Sequence, residues 1–127
     1  MKTKEELLEE IYSHFPESKD RDETIRHLIS DCIEAAITYW NTLWPKTKSI
    51  RKYYSEEIWE DVKSGESLEF GGIQETGNLN LENIAKALNT IKTHSHSIYT
   101  DLQSENWDTY TCDEFFQTVI FGEVIFG

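Results

Sequence analysis

Residues 20–44 of the chain read DRDETIRHLISDCIEAAITYWNTLW, and their apolar side chains recur every three or four positions. This spacing places one broad apolar stripe on a helix with 3.6 residues per turn. Asp20 and Glu23 have the spacing of a capping box, and Pro45 ends the pattern directly after Trp44. Such a helix is about 33 Å long. We therefore predict a long central helix over residues 20–44, around which the rest of the chain packs.

Flanking segments also have helical spacing. Thr3 and Glu6 have capping-box spacing at the start of an amphipathic segment that ends before Pro16. A third helix is expected over about residues 47–64, with Gly65 as its C-terminal cap. A fourth helix is expected to begin near Asn80 and to run to about Leu102, and a fifth to open at Thr111.

Four glycines interrupt the helical pattern over residues 65–79. The spacing there allows a minor β-hairpin at residues 67–76 that turns at Gly71-Gly72. The predicted fold is therefore all-α, with four to five helices packed around the long helix at about 20–44. The length of 127 residues predicts a single helical domain over residues 1–127.

The C-terminus is apolar and repetitive, because residues 119–122 and 124–127 both read VIFG. An exposed strand of this composition would bind other chains. We therefore expect the C-terminus to be docked.

The formal net charge is −12, and it is concentrated in the second half of the chain. Residues 65–127 carry ten acidic and two basic side chains, and no Lys or Arg follows Lys92. A field of this sign repels nucleic acids and anionic membranes and attracts basic surfaces. The exception is the basic run KTKSIRK at residues 46–52, which we interpret as a solvated helix start.

The number of cysteines and the distribution of apolar residues indicate the cellular compartment. Cys32 and Cys112 are too few for a disulfide framework, and Cys32 lies on the apolar stripe, which favours a buried thiol. The chain has neither the apolar run of a signal peptide nor one long enough to cross a membrane. We expect a cytoplasmic protein.

Three aromatic residues, Trp59, Trp107 and Tyr110, lie outside the core positions of the predicted helices. Acidic residues are close to them in the sequence. Aromatic anchors with a charged rim are typical of protein interfaces. The predicted binding residues are Trp59, Asp101, Glu105, Trp107, Asp108 and Tyr110. The alternative is a shifted helix phase, in which these rings belong to the core.

Two acidic motifs suggest a different function. Residues 56–60 read EEIWE and residues 105–108 read ENWD, and together they resemble the EExxE and ExxD motifs of the all-α nucleotide pyrophosphohydrolases. The resemblance covers six residues, and the gap between the motifs is longer than in that family. It implies a hydrolase whose carboxylates hold magnesium ions. In the predicted third helix, however, Ile58 and Val62 face inward and Glu56 and Glu60 face solvent, so we assign no catalytic residues.

His94 and His96 are the candidate metal ligands that the sequence offers. Residues two apart on a helix point about 200° apart, so this pair does not chelate one ion. The chain contains no CxxC or HExxH motif. We predict neither a metal site nor a cofactor.

These patterns favour binding over catalysis. The predicted function is that of a small acidic protein engaging a basic protein partner, with no direct contact to nucleic acid or membrane. Immunity proteins, antitoxins and phage-encoded anti-defence inhibitors that mimic nucleic-acid charge have this physical character. Two alternatives stay open: a metal-dependent nucleotide hydrolase that uses the acidic motifs, and a structural homo-oligomer, such as a homodimer, whose C-terminus lies in the subunit interface.

Overall fold

The structure is a computed structural model that describes residues 1–37, 39–40, 57–72 and 75–126. Six helices and a two-stranded antiparallel sheet form within these residues. In chain order the elements are α1 (Lys4–Ser13), α2 (Arg21–Ile37), α3 (Glu57–Lys63), β1 (Leu68–Gly71), β2 (Thr76–Leu79), α4 (Leu81–His94), α5 (His96–Gln103) and α6 (Thr109–Phe121). The prediction of a mainly helical fold with a minor hairpin is confirmed. Among the described residues, no helix is both long enough and apolar enough to cross a membrane.

The apolar stripe of α2 is buried in the core. Among the described elements, however, α6 packs against α2, α4, α5 and β2, so the prediction that the rest of the chain packs around the 20–44 helix is not confirmed. The predicted inward positions are buried, namely Ile29, Cys32, Ile33, Ala36 and Trp40. α2 ends at Ile37, and the backbone N–H groups of Tyr39 and Trp40 both donate to the carbonyl of Ala36. Residues 41–44 of the predicted helix, residues 47–56 of the predicted third helix and the basic run at 46–52 lie outside the described residues.

The first two helices begin where their capping residues predict. Thr3 accepts a hydrogen bond of 3.1 Å from the backbone N–H of Glu6, whose carboxylate accepts one of 2.8 Å from the N–H of Thr3. Asp20 accepts from the N–H of Glu23 at 3.1 Å. These short-range contacts are local in sequence, which is why the sequence predicts them well.

The helix predicted from Asn80 to Leu102 is two helices, and this raises the helix number above the predicted four to five. Ser95 leaves the helical region at φ −140° and ψ 68°, and α5 begins at His96. Serine and histidine are weak helix formers, and the seryl side chain competes with backbone hydrogen bonding. After the break, α5 buries Ile98, Tyr99 and Leu102.

The start of α6 also differs from the prediction. The helix begins at Thr109, not at Thr111, because Asp108 is the capping residue and accepts from the N–H of Thr111 at 2.8 Å. Aspartate is a stronger N-cap than threonine, and the sequence offers both.

The hairpin uses a different turn from the one predicted. Leu68 pairs with Leu79 and Gly71 with Thr76, so Gly71 belongs to the first strand and the second strand is Thr76–Leu79. Residues 73 and 74 of the predicted hairpin lie outside the described residues. This register buries both leucines on one face of the sheet. It also sets Gly77 against α6, where an added Cβ would lie 1.8 Å from the carbonyl oxygen of Ile120.

The C-terminal segment is docked on its own chain, as predicted. Gln117 is fully buried, and its Oε1 accepts from the N–H groups of Ile125 and Phe126 at 2.9 and 2.8 Å. The Phe126 ring stacks on Trp40 with centroids 5.9 Å apart. The first VIFG block therefore ends α6, and residues 124–126 of the second fold back along it without forming a strand, with Phe126 packed on the core and Val124 and Ile125 exposed.

Candidate binding cleft

A cleft of about 440 Å³ lies between α2 and the start of α6, and we name it the acidic cleft. Of the seven lining residues that the structure describes, three are carboxylates and none is basic. The lining residues are Asp31, Glu34, Ala35, Trp107, Asp108, Thr109 and Cys112.

The helical period of α2 places its carboxylates in the cleft. Ile29, Cys32 and Ile33 face the core, so Asp31 and Glu34 lie on the exposed flank of the same helix. The opposite wall comes from the loop that joins α5 to α6 and from the first turn of α6.

Trp107 and Asp108 are the predicted binding residues that line the acidic cleft. The indole Nε1 of Trp107 donates to Oδ2 of Asp31 at 2.9 Å, and the ring is half-buried against the core. Asp108 is exposed, and the hydrogen bond from the backbone N–H of Thr111 lowers the pKa of its carboxyl. The helix N-terminus further favours the ionised form. The cleft therefore carries an aromatic wall beside the ionised carboxylate of Asp108.

Tyr110 follows the cleft residues in the first turn of α6. Its side chain is 65% exposed, and its hydroxyl donates to Glu114, which raises the pKa of the phenol. Tyr110 does not line the cleft itself. It is an exposed aromatic group two positions from Asp108, consistent with the predicted aromatic and acidic composition of this region.

The electrostatic character of the cleft follows from both of its walls. Neither residues 27–45 nor residues 93–127 contain a Lys or an Arg. α2 and α6 pack against one another, which brings together the parts of these segments that lie in the two helices, residues 27–37 and 109–121. A concave site lined by one sign of charge focuses the potential and attracts cations.

Asp101 and Glu105 are placed outside the acidic cleft. Oδ2 of Asp101 accepts from the hydroxyl of Thr111 at 3.1 Å, and Oε1 of Glu105 accepts from the hydroxyl of Thr24 at 3.0 Å. Glu105 lines a separate cleft with Thr24 and Asp20. Both carboxylates therefore tie elements of the fold together and add to the acidic field from outside the cleft.

Trp59 requires a correction. Its side chain has no exposed surface, and its Nε1 donates to Oδ1 of Asp22 at 2.8 Å. Burial tends to raise the pKa of Asp22, but hydrogen bonds from Lys63 and Trp59 bring it below its usual value. The acceptor satisfies the indole N–H, so α3 buries Trp59 beside Ile58. Ile58 and Val62 are buried as predicted, so the helix phase is correct and the buried face of α3 is broader than predicted. We therefore remove Trp59 from the binding surface.

Of the acidic motifs that resemble a hydrolase, the structure describes the side chains of Glu60, Glu105 and Asp108, and these three do not form a metal-binding group. Glu60 accepts a hydrogen bond from Arg26, which lowers the pKa of its carboxyl, and Glu56 lies outside the described residues. His94 and His96 are exposed on either side of the break at Ser95. Across residues 1–37, 39–40, 57–72 and 75–126, no three His, Cys, Asp or Glu side chains are grouped so as to hold a metal ion.

Sequence reasoning missed Asp31 and Glu34. They occupy ordinary solvent-facing positions of an amphipathic helix, and nothing in the pattern of α2 distinguishes them. The available signal was the absence of basic residues from 27 to 45, which extends the acidic field of the second half of the chain into α2.

Comparisons of the chain with protein-family models, with curated proteins and with solved structures found no match. The geometry of the cleft and the charge of the chain therefore carry the functional argument.

Proposed function

We propose that this protein binds a basic protein partner through the acidic cleft. The observation that supports the proposal is the composition of the cleft: Asp31, Glu34 and Asp108 line it together with Trp107, and none of its lining residues within the described part of the chain is basic. A lysine or arginine side chain from a partner would meet carboxylates and an aromatic ring in the same concave site.

The cleft is preorganised for such contacts. Trp107 is held by Asp31, and Asp108 is held by its hydrogen bond with the N–H of Thr111. Side chains that are already ordered lose less conformational entropy on binding. A half-buried tryptophan is also the kind of residue that anchors interfaces.

The charge favours a particular class of partner. Proteins that bind nucleic acids present basic surfaces, since they neutralise phosphates with Lys and Arg. An acidic protein that occupies such a surface excludes the nucleic acid. We therefore favour an inhibitory role of the immunity, antitoxin or anti-defence type.

The test is capture of the partner at low salt followed by mass spectrometry. The tagged wild-type chain is compared with a cleft variant that carries Asp31→Asn, Glu34→Gln and Asp108→Asn. The asparagines keep an oxygen acceptor for Trp107 and for the α6 cap, so the cleft loses charge but retains these hydrogen bonds.

A charge-matched control carries Glu5→Gln, Glu9→Gln and Glu82→Gln, three exposed positions on α1 and α4. We expect the wild type and the control to capture the same basic protein, and the cleft variant to lose it. Equal loss in both variants would assign the association to net charge alone, and equal retention would remove the cleft from the binding site.

A further inference from the structure

The segment that follows α6 is held by one buried side chain, and we name residues 123–126 of this segment the arm. Gln117 of α6 has no exposed surface, and its Oε1 accepts from the backbone N–H groups of Ile125 and Phe126 at 2.9 and 2.8 Å. Its Nε2 donates to the backbone carbonyl of Phe126 at 3.1 Å. The amide of Gln117 therefore bonds both polar groups of the Phe126 backbone, as a neighbouring strand would.

The groove that holds the arm is ordered by contacts of its own. Oδ1 of Asp113 accepts from Nε1 of Trp40 at 2.8 Å, and Oδ2 of the same carboxylate accepts from Nε2 of Gln117 at 3.0 Å. The ring of Phe121 lies beside this pair, with its centroid 5.2 Å from that of Trp40. We name these four side chains the arm groove. Since the arm takes no part in these contacts, the groove is preorganised for an extended segment.

The arm groove recognises a backbone and one aromatic ring. Phe126 stacks on Trp40 with 8° between the ring planes, and it meets Phe121 edge-on with centroids 5.7 Å apart. The side chains of Val124 and Ile125 are 43% and 37% exposed, so the groove does not enclose them. Main-chain hydrogen bonds combined with an anchoring side chain are a common way to bind an extended peptide. The groove is therefore a binding site for an extended segment that carries a phenylalanine.

The connection between α6 and the arm is short and exposed. Gly122 adopts φ +84°, and a Cβ added there would meet nothing within 4 Å. Within the described part of the chain, the side chain of Gln117 makes all of the hydrogen bonds to residues 123–126. A rotation about ψ of Gly122 redirects the arm, while the hydrogen bond from the N–H of Gly122 to the carbonyl of Thr118 keeps the end of α6 in place.

We propose that two copies of this chain exchange their arms, so that the arm of each copy lies in the arm groove of the other. The occupant follows from the structure, because a second copy carries the same segment that the groove already holds. The contacts with Gln117, Trp40 and Phe121 are all remade between the copies, which is the defining property of a domain-swapped dimer. A short hinge favours exchange of this kind.

Exchange also changes the surroundings of the exposed apolar side chains of the arm. In the dimer the two arms pass one another at the symmetry axis, where Val124 and Ile125 are removed from water. The monomer and the dimer otherwise make the same docking contacts, so their ratio depends on protein concentration. A tethered arm competes for its own groove at an effective concentration in the millimolar range, so we expect the wild-type dimer to form as the protein approaches about 1 mM.

The experiment changes the length of the hinge in the full chain. Deletion of Glu123 prevents the arm from turning back to its own groove but still lets it reach the groove of a second copy. Insertion of two glycines after Glu123 is the matched control, since it relieves the turn and favours the monomer. Sedimentation equilibrium from micromolar to millimolar protein measures the dissociation constant of the dimer. The indole N–H resonance of Trp40 reports whether a phenylalanine ring lies on the indole.

We expect the deletion to lower the dissociation constant of the dimer by roughly tenfold or more, because it removes the competing arm of the same copy. The Trp40 resonance should stay as in wild type, since an arm still fills the groove. Adding Phe126→Ala to the deletion should return the chain to a monomer and shift the Trp40 resonance. The glycine insertion should raise the dissociation constant above that of wild type.

Three results would overturn the exchange. The first is a deletion variant that stays monomeric at millimolar protein. The second is a dimer of that variant that persists with Phe126→Ala, which places the contact elsewhere, and the third is a dimer constant that does not respond to hinge length. The four groove residues are not among those that line the acidic cleft, so these results are independent of the proposed binding of a basic partner.

Discussion

The indole Nε1 of Trp107 donates a hydrogen bond of 2.9 Å to Oδ2 of Asp31, two residues that are 76 positions apart in sequence. This bond joins the loop before α6 to the exposed flank of α2. The aromatic wall and one carboxylate wall of the acidic cleft are therefore a single connected unit, and the geometry of the cleft depends on one pair of side chains.

Removing the acceptor should loosen this unit. We expect Asp31→Ala to lower the free energy of unfolding by about 0.5–1.5 kcal/mol, the usual worth of one hydrogen bond. Asp31→Asn keeps an acceptor and should cost less. Urea unfolding measures the stability, and the indole N–H resonance of Trp107 reports the bond directly. Identical spectra for wild type and Asp31→Ala would show that the bond does not form in solution.

The core of α2 can be tested at Ile33, which is 1% exposed. Ile33→Ala should cost about 2–5 kcal/mol, because the substitution leaves a cavity that the neighbours fill only in part. The matched control is Glu34→Ala, at the next and exposed position, which should stay within about 0.5 kcal/mol of wild type. A loss below about 0.5 kcal/mol for Ile33→Ala would contradict the burial of the stripe.

Two glycines should respond differently to the same substitution. At Gly77 a Cβ would lie 1.8 Å from the carbonyl oxygen of Ile120, so Gly77→Ala forces the hairpin away from α6. We expect a loss of about 3 kcal/mol or more. Gly122 ends α6 at φ +84° with open space around it, so Gly122→Ala should cost only the left-handed strain of roughly 1–2 kcal/mol. Thermal or urea unfolding separates the two, and the reverse order would mean that β2 does not approach α6 in this way.

The sequence predicts those parts of the fold that depend on near neighbours. The stripe of α2 and the caps at Thr3, Asp20 and Asn80 rest on residues three or four positions apart, and all of them form. The break at Ser95 depends on where Tyr99 and its neighbours pack, and no local signal such as glycine or proline marks it.

The sequence predicted the residues of the acidic cleft that precede and begin α6, but not those that α2 contributes. Trp107, Asp108 and Tyr110 were found because acidic and aromatic residues cluster in that stretch of sequence. Asp31 and Glu34 were missed because their place in the cleft depends on the packing of α2 against α6. Trp59 was placed on the surface because the predicted core face of α3 included Ile58 and Val62 but not the residue next to Ile58, which is also buried.

Buried His14 makes stability depend on pH. Its Nδ1 lies 2.6 Å from the hydroxyl of Tyr99; burial lowers its pKa, and the charge of Lys92 lowers it further, against the opposite effects of Glu10 and Asn89. The native state therefore binds fewer protons than the unfolded state below the ordinary histidine pKa of about 6.5, so stability falls as pH falls through that value.

We expect the free energy of unfolding in urea to decrease between pH 8 and pH 5, a range above the usual pKa values of carboxylates, about 4. His14→Gln should flatten this dependence. The control is His94→Gln, at an exposed position, which should leave the slope as in wild type. If the slope is unchanged in His14→Gln, His14 binds the same number of protons in the native and unfolded states and its environment differs from the one described.

The proposed binding function predicts that the charged residues of the cleft mainly affect the association rate constant and that Trp107 mainly affects the dissociation rate constant. Exposed charges steer the encounter, so the cleft variant with Asp31→Asn, Glu34→Gln and Asp108→Asn should bind the captured basic partner with a lower association rate constant at low salt. Steering contributes roughly 10- to 1,000-fold and fades as the screening length falls from about 10 Å at 0.1 M salt to about 3 Å at 1 M. The association rate constants of the variant and the wild type should therefore converge as salt rises.

Trp107→Ala removes an anchor of the interface and should mainly raise the dissociation rate constant. Stopped-flow fluorescence over a salt series measures both constants, with the Glu5, Glu9 and Glu82 variant as the control of equal net charge. A wild-type association rate that does not change with salt would show that the acidic residues serve solubility and not steering.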